Sequence, residues 1–383
     1  MRAIVNGTLL TPTGCLENQA LVYDNRIVNI CSYSGLTSYH VEEIIDAAGG
    51  IVSPGLIDTH VHGAGGADTM DGSRQALETI SHQLASAGVT AFLPTTMTLD
   101  WSDIAQALIQ VRLAQEYPLP GAQVLGAHLE GPFLNPECCG AQAPEYMRLP
   151  DFPLLIPYLD VIRIITYAPE LDPEGQFLAA LTRTRQIIPS IGHSAASYEL
   201  AQEAFRQGVS HVTHVFNAMS GLHHRHPGLL GAILTNAVSV ELIADNLHVH
   251  PAMYQLLLLT NGLGRIVLVS DSLPVAGLPD GEYAFGGQQI SVHSGVARLK
   301  NGSLAGSTAG LNRCVWNFAA ATGLPLWQAM QTATQNPASL LSLEQKGSLN
   351  IGKDADIVIF DDDGEVRLTI VAGKTVYQVG GTR

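Results

Sequence analysis

Lysine is almost missing from this chain: Lys300, Lys346, Lys353 and Lys374 are the full set among 383 residues. With 34 acidic against 19 basic residues the formal charge is −15, so the basic footprint of a nucleic-acid binder is absent. Such a charge serves solubility, and a small anionic ligand must be met by a few local groups. Long apolar runs are missing as well. Runs such as Leu256 to Leu259 are far too short to span a bilayer as a helix. No N-terminal stretch joins a basic start, an apolar core and a small-residue cleavage site, so a cytoplasmic protein is expected. Cysteine is sparse and odd in number (Cys15, Cys31, Cys138, Cys139, Cys314), without zinc-knuckle spacing. Free thiols in a reducing compartment are the simplest reading. The adjacent Cys138-Cys139 leaves a redox or metal site open, with no second CxxC-like element to support it. No Gly-x-Gly-x-x-Gly turn follows the first barrel-type strand, which counts against a doubly wound nucleotide-binding sheet.

What is present is apolar: 46% of the chain is hydrophobic, which excludes a solvated, disordered polymer. The first fifty residues read as short strands, Ala3 to Asn6, Gln19 to Tyr23 and Arg26 to Cys31, with Asp24-Asn25 as a hairpin turn. The last forty repeat that texture, with Ile357 to Phe360, the acidic turn Asp361 to Gly364, Arg367 to Val371 and Thr375 to Gln378. Neither piece has enough strands for a core. Together, residues 1–52 and 345–383 predict one small β-sandwich around an inserted domain, 53–344.

The inserted part alternates short apolar runs with helix-like segments. The runs are Gly55 to His60, Thr90 to Thr95, Val124 to Glu130, Val161 to Ala168, Ile187 to His193, His211 to Asn217, Val238 to Asp245 and Ile266 to Asp271. The helical stretches include Ser73 to Ser86, Ser102 to Gln115, Ser197 to Gln207 and Ala252 to Asn261. Such alternation predicts a parallel sheet covered on both faces, and eight units suit an α/β (β/α)8 barrel of the TIM type.

The polar residues gather where those runs stop. Strand one ends in Asp58-Thr59-His60-Val61-His62, strand three in His128-Leu129-Glu130, strand five in Gly192-His193 and strand six in Thr213-His214. Strand seven ends in Ala244-Asp245 with His248 just beyond, and strand eight in Ser270-Asp271. In a (β/α)8 barrel these ends share one mouth, where such enzymes keep their chemistry. His, Glu and Asp are ligands for zinc, iron or manganese, and residues two apart on a strand face the same way, so His60 and His62 can grip one ion. Taken singly, each has a structural alternative: a lone His-x-His is weak, and Asp271 before Ser272 suits a helix cap. The set on six strand ends is hard to explain as separate caps. His223-His224-Arg225-His226 reads equally as a metal-affine tract, an exposed loop or an anion site built on Arg225.

These stretches resemble a known family. Ser53-Pro54-Gly55-Leu56-Ile57-Asp58-Thr59-His60-Val61-His62 is similar to the opening barrel strand of the amidohydrolase superfamily, and Gly352-Lys353-Asp354-Ala355-Asp356 to its returning β-domain. His128-Leu129-Glu130-Gly131-Pro132, Gly192-His193-Ser194, Thr213-His214-Val215-Phe216-Asn217-Ala218-Met219 and Leu304-Ala305-Gly306-Ser307 resemble the N-acetylglucosamine-6-phosphate deacetylases. The resemblance implies a divalent ion, zinc or iron, on Glu130, His193 and His214, and a second on His60 and His62 in members that keep the pair. It implies that Asp271 is both a metal ligand and the catalytic carboxylate, and that His248 is the histidine that contacts the substrate near the reacting carbonyl. Substrate contacts would come from Gln142, Asn217, Ala218, Leu304 and from Arg225, which would cross the interface of a homodimer to the sugar phosphate. Family members often carry lysines where this chain has Pro136 to Gln142 without one. The implied reaction is loss of acetate from N-acetylglucosamine 6-phosphate, with Asp271 acting as base and then acid. Three alternatives stay beside it: the N-acetylgalactosamine epimer, another amidohydrolase reaction, and a non-catalytic scaffold. Many cyclic-amide hydrolases of this superfamily carry a strand-four lysine; strand four here offers Arg163 and no lysine.

Overall fold

The computed structural model describes residues 1–285 and 288–380. Its centre is the expected barrel. Eight strands run parallel around one axis: Leu56–Val61, Val89–Pro94, Ala127–Glu130, Ile162–Tyr167, Ile188–Ile191, His211–Val212, Ser239–Ile243 and Ile266–Val269. Two joints close the ring. Thr95 bridges to His128 between the second and third strands, and Val61 to Ser272 between the first and eighth. The amide of Asp271 donates to the carbonyl of His60 at 3.0 Å, and that of His62 to Ser272 at 2.9 Å. Full closure leaves no open edge.

Helices Arg74–Ser86, Trp101–Glu116, Gln176–Thr184, Tyr198–Gln207, Gly228–Leu234, Ala252–Asn261 and Leu311–Thr322 follow strands one, two, four, five, six, seven and eight. Ser73 and Ser197 cap two of them by accepting the N–H of Ala76 and Leu200, and Asp100 caps a third through Ser102. After strand three the connection is a 3-10 segment, Phe152–Tyr158, because Pro153 and Pro157 deny a regular helix its amides. The third strand is shorter than its apolar run predicts. Gln123–Val124 pairs with strand two, the chain bends at Gly126 (φ 140°), and Ala127–Glu130 resumes beside strand four.

The terminal segments share one eight-stranded sheet, joined where Ile51–Pro54 pairs antiparallel with Ile357–Phe360. The long strand Arg2–Thr11 serves two neighbours in turn, Glu43–Asp46 along its first half and Ile51–Pro54 along its second. The sheet thereby closes over a core drawn from both ends of the chain, including Ile4, Leu21, Tyr23, Ile357 and Ile370. The Gly352 to Asp356 turn ties it down: Lys346 Nζ lies 2.6 Å from Asp356 Oδ2 and 3.2 Å from Asp354 Oδ2, almost wholly buried. Asp356 in turn accepts, through its carbonyl, the N–H of Gly55 just before the first barrel strand.

An element that the apolar runs do not announce follows the eighth strand. Gly281–Phe285, Gln288–His293 and Val296–Leu299 form an antiparallel sheet whose Ile290, Val292 and Leu299 pack on Met97, Leu273 and Val275 at the barrel mouth. Its second turn, Ser294-Gly295, has positive φ at both positions, the geometry of a two-residue hairpin. Among the described residues no helix is long and apolar enough to cross a membrane.

Candidate active site

Each chemistry-bearing residue sits where its strand gives out. His193, His214 and Asp271 have φ of 48°, 26° and 48°, in the left-handed region, so each backbone turns sharply as it leaves the barrel. Such strain persists only where the surroundings impose it, and it gathers at functional sites.

Glu130, at the end of the third strand, lies between two groups of side chains. Its Oε1 is 3.2 Å from His193 Nε2 and 2.9 Å from His214 Nε2, and those nitrogens are 3.1 Å apart. Its Oε2 is 3.1 Å from His62 Nε2 and 3.5 Å from His60 Nε2, which are 3.2 Å apart. Asp271 Oδ1 completes the second group at 3.4 Å from both. Ligand atoms at about 2.0–2.2 Å around a tetrahedral ion are roughly 3.3 Å from one another. Both groups therefore have the spacing of a donor set for a divalent cation, and all six side chains are buried.

The rings are held from behind. His193 donates Nδ1–H to the carbonyl of Cys138 at 2.8 Å, and His60 donates Nδ1–H to Glu241 at 2.9 Å, so each presents the lone pair of Nε2. The backbone of Cys138, not its thiol, is what the site uses. His128 lies just outside. Its Nδ1–H donates to the carbonyl of Thr59, so Nε2 accepts from the Thr166 hydroxyl at 2.7 Å. Thr166, Thr213 and Ser190 continue that chain across strands four, six and five.

Burial alone would raise Glu130, but His60, His193 and His214 hold it well below the usual carboxylate range. Asp271 is also held down against its burial, by His60 and His62. Burial alone would keep the histidines neutral; instead Asp271 and Glu130 lift His62 to about 9, and Glu130, Asp271 and Glu241 lift His60 well above its ordinary value. His128 goes the other way, to about 3, through burial and the nearness of His60. The pocket is thus a field that favours cations at its floor, and a divalent ion competes there with protons.

Above this floor the cavity is lined by Met97, Gly140, Ala141, Gln142, Asn217, Ala218, His248, Leu273 and Leu304 among others. His248 donates its Nδ1–H to Asp245 Oδ2 at 2.6 Å, which aims the rest of the ring. Burial would raise Asp245, but His248 holds it below the ordinary value. Asn217 gives its amide N–H to the carbonyls of His214 and Val215. Gln142 is almost wholly buried and turns its amide inward, donating to Glu130 Oε2 and accepting from the N–H of Thr98, both at 2.7 Å. Arg225 lies in an exposed loop and does not line the cavity of its own chain, whose lining, among the described residues, contains neither Lys nor Arg. Arg163 of strand four donates to the carbonyl of Leu341 and is half-buried on the outside of the site.

Sequence reasoning missed Glu241 and assigned no role to Asp245. The signal for Glu241 was an acid in the middle of an apolar strand, Ser239-Val240-Glu241-Leu242-Ile243. For Asp245 it was the i, i+3 spacing to His248.

Residues 51–376 match the amidohydrolase family. The N-acetylglucosamine-6-phosphate deacetylase of Bacillus subtilis (strain 168) is 40% identical over 345 residues, 88% of this chain and 87% of that protein. The N-acetylgalactosamine-6-phosphate deacetylase of Escherichia coli O157:H7 is 38% identical, over 85% of this chain and 87% of its own length. Among solved structures, the N-acetylglucosamine-6-phosphate deacetylase of Pasteurella multocida superposes with a TM-score of 0.91 at 31% identity, covering 98% of this chain and 99% of that one. With a barrel mouth of this composition and relatives matched along most of its length, the chain belongs to the amidohydrolase family, in its N-acetylglucosamine-6-phosphate deacetylase branch.

Proposed function

We propose that the protein hydrolyses N-acetylglucosamine 6-phosphate to glucosamine 6-phosphate and acetate. The observation that carries this reading is Glu130, with its two oxygens turned to two groups of histidines and Asp271 beside them. Residues 53–344 would form the catalytic domain, and 1–52 with 345–383 the β-domain that carries it.

Glu130 Oε1, His193 and His214 would hold one zinc or iron ion; Glu130 Oε2, His60, His62 and Asp271 would hold a second. Such an ion lowers the pKa of a bound water from 15.7 to about 7 and polarises a carbonyl. Asp271 takes the proton from the water as its oxygen adds to the acetamide carbon. His248, held by Asp245, donates from Nε2 to the oxygen that gains charge, a type of contact worth about 3 kcal/mol. Asp271 then returns the proton to the amine nitrogen as the C–N bond breaks, since an unprotonated amine leaves poorly. Asn217, Ala218 and Leu304 would bound the sugar; Gln142 would act beside them through Glu130.

The phosphate needs a cation, and the described residues that line the cavity include neither Lys nor Arg. Arg225, exposed on its loop, supplies one if two chains pair so that each arginine enters the neighbouring site, which makes the functional unit a homodimer. A cytoplasmic setting fits the free cysteines and a phosphorylated substrate. The test is acetate release from N-acetylglucosamine 6-phosphate, its galactosamine epimer and the unphosphorylated sugar, with metal content measured on the same sample. Turnover of neither phosphorylated sugar by fully metallated protein overturns the reading.

A further inference from the structure

Glu241 stands in the middle of the seventh strand, fully buried, and neither ligand group nor the proton transfers above use it. Its Oε2 accepts from His60 Nδ1 at 2.9 Å and from the backbone N–H of His214 at 3.3 Å. Its Oε1 accepts from His211 Nε2 at 3.3 Å and from the Thr59 hydroxyl at 3.4 Å. A carboxylate taken out of water costs several kcal/mol unless its partners offset the loss. Its shortest partner is the ring of a proposed ligand. A histidine that gives Nδ1–H to a carboxylate is confined to one tautomer and one ring orientation, with the opposite nitrogen made more basic. Here that opposite nitrogen, His60 Nε2, faces His62 Nε2, Glu130 Oε2 and Asp271 Oδ1 at 3.2 to 3.5 Å.

We propose that Glu241 is the positioning residue of the first-strand histidine pair: it holds His60 so that, with His62, Glu130 and Asp271, a divalent cation is bound there. The group made by Glu130 Oε1, His193 and His214 does not depend on it in the same way. His193 is oriented by the carbonyl of Cys138, and Glu241 touches His214 only at the backbone. The inference rests on the metal-dependent reading above, but it concerns where ions bind, not which sugar is turned over.

The experiment strips wild-type protein and three variants of metal and titrates each with zinc(II) alone, reading ions bound per chain and the two dissociation constants. Wild type is expected to take two ions. Glu241→Gln, nearly isosteric, is expected to bind the second about 10- to 100-fold more weakly with the first unchanged, the range typical for loss of a supporting carboxylate. Glu241→Ala is expected to hold one ion only. Thr166→Val, which removes a hydroxyl from the same buried layer without touching a ligand side chain, is expected to melt earlier yet bind both. Both ions held at wild-type affinity by the Glu241 variants, both weakened alike, or a single ion in wild type would each overturn the proposal. Two ions bound without acetate release would overturn the deacetylase reading and leave the role of Glu241 standing.

Discussion

Gln142 and Glu130 are joined by a 2.7 Å hydrogen bond from the side-chain amide to Oε2, the oxygen that faces His62. The same amide closes on the N–H of Thr98, so a residue on the loop after strand three is fastened to strand three and to the segment after strand two at once. A glutamine there steadies the carboxylate shared by both histidine groups. Gln142→Leu leaves the Thr98 amide and one lone pair of Glu130 unmatched in a buried place, a loss of about 1–3 kcal/mol. We expect kcat/KM to fall roughly 10- to 100-fold by that energy, with substrate KM moving less than kcat. An unchanged kcat would show that the amide serves only the sugar.

Asp271 lies 3.4 Å from both first-strand histidines and is held ionised by them. Asp271→Asn is expected to keep the ion held by Glu130, His193 and His214 while turnover drops by about 10²–10⁴, the span of a lost general acid–base group. Metal analysis and single-turnover acetate release on one sample check it; full activity in a metallated variant refutes the proton role.

Removing metal with a chelator is expected to abolish acetate release without unfolding the chain, since the barrel closes through backbone hydrogen bonds that do not involve an ion. Zinc(II) or iron(II) should restore it. Activity that survives complete removal, measured by elemental analysis, would rule out a metal-dependent reaction.

For Arg225, the expectation separates binding from chemistry. Arg225→Ala is expected to raise KM for the phosphorylated sugar by roughly 10- to 100-fold, the worth of a charge-assisted hydrogen bond, and to leave the unphosphorylated sugar unaffected. Mixing Arg225→Ala with Asp271→Asn chains should regain activity, because one site of the mixed dimer then has both residues intact. No recovery in a proven mixed dimer counts against a shared site.

The Lys346 ion pair bears on stability. Burial alone would lower Lys346, but Asp356 and Asp354 raise it above its ordinary value. A lysine raised on folding contributes stability that is complete below its unfolded value, about 10.4, and is lost as pH rises through the folded value. Urea midpoints should therefore hold level into mildly alkaline solution and fall beyond that value. Lys346→Met, which takes the lysine partner from the buried Asp356 carboxylate, is expected to cost on the order of 3 kcal/mol at neutral pH and to lose that alkaline decline. A midpoint within error of wild type would show the pair to be incidental.

Much of this site was legible before the fold. The apolar runs placed His60, Glu130, His193, His214 and Asp271 at strand ends, because a barrel strand buried on both sides must be apolar until it reaches the mouth. The hairpin turn at Asp24-Asn25 and the helical stretches that begin at Ser73 and Ser197 are local signals and were read locally. The antiparallel sheet of Gly281–Phe285, Gln288–His293 and Val296–Leu299 was not, since its strands follow the eighth run with no barrel rhythm to count. Gln142 shows another limit: its hydrogen bonds join Glu130 to the segment at Thr98, and only the fold brings those groups together.

By itself, then, the order of residues determined which side chains this protein has to work with and at which end of which strand they stand, because strand period and apolar runs are properties of neighbours along the chain. Which oxygen of Glu130 faces which histidines, that Glu241 stands behind His60 from 181 positions away, and that Arg225 does not line the cavity of its own chain were decided only by tertiary structure. Those relations join residues from strands that are distant in sequence, and closing the barrel is what sets their distances.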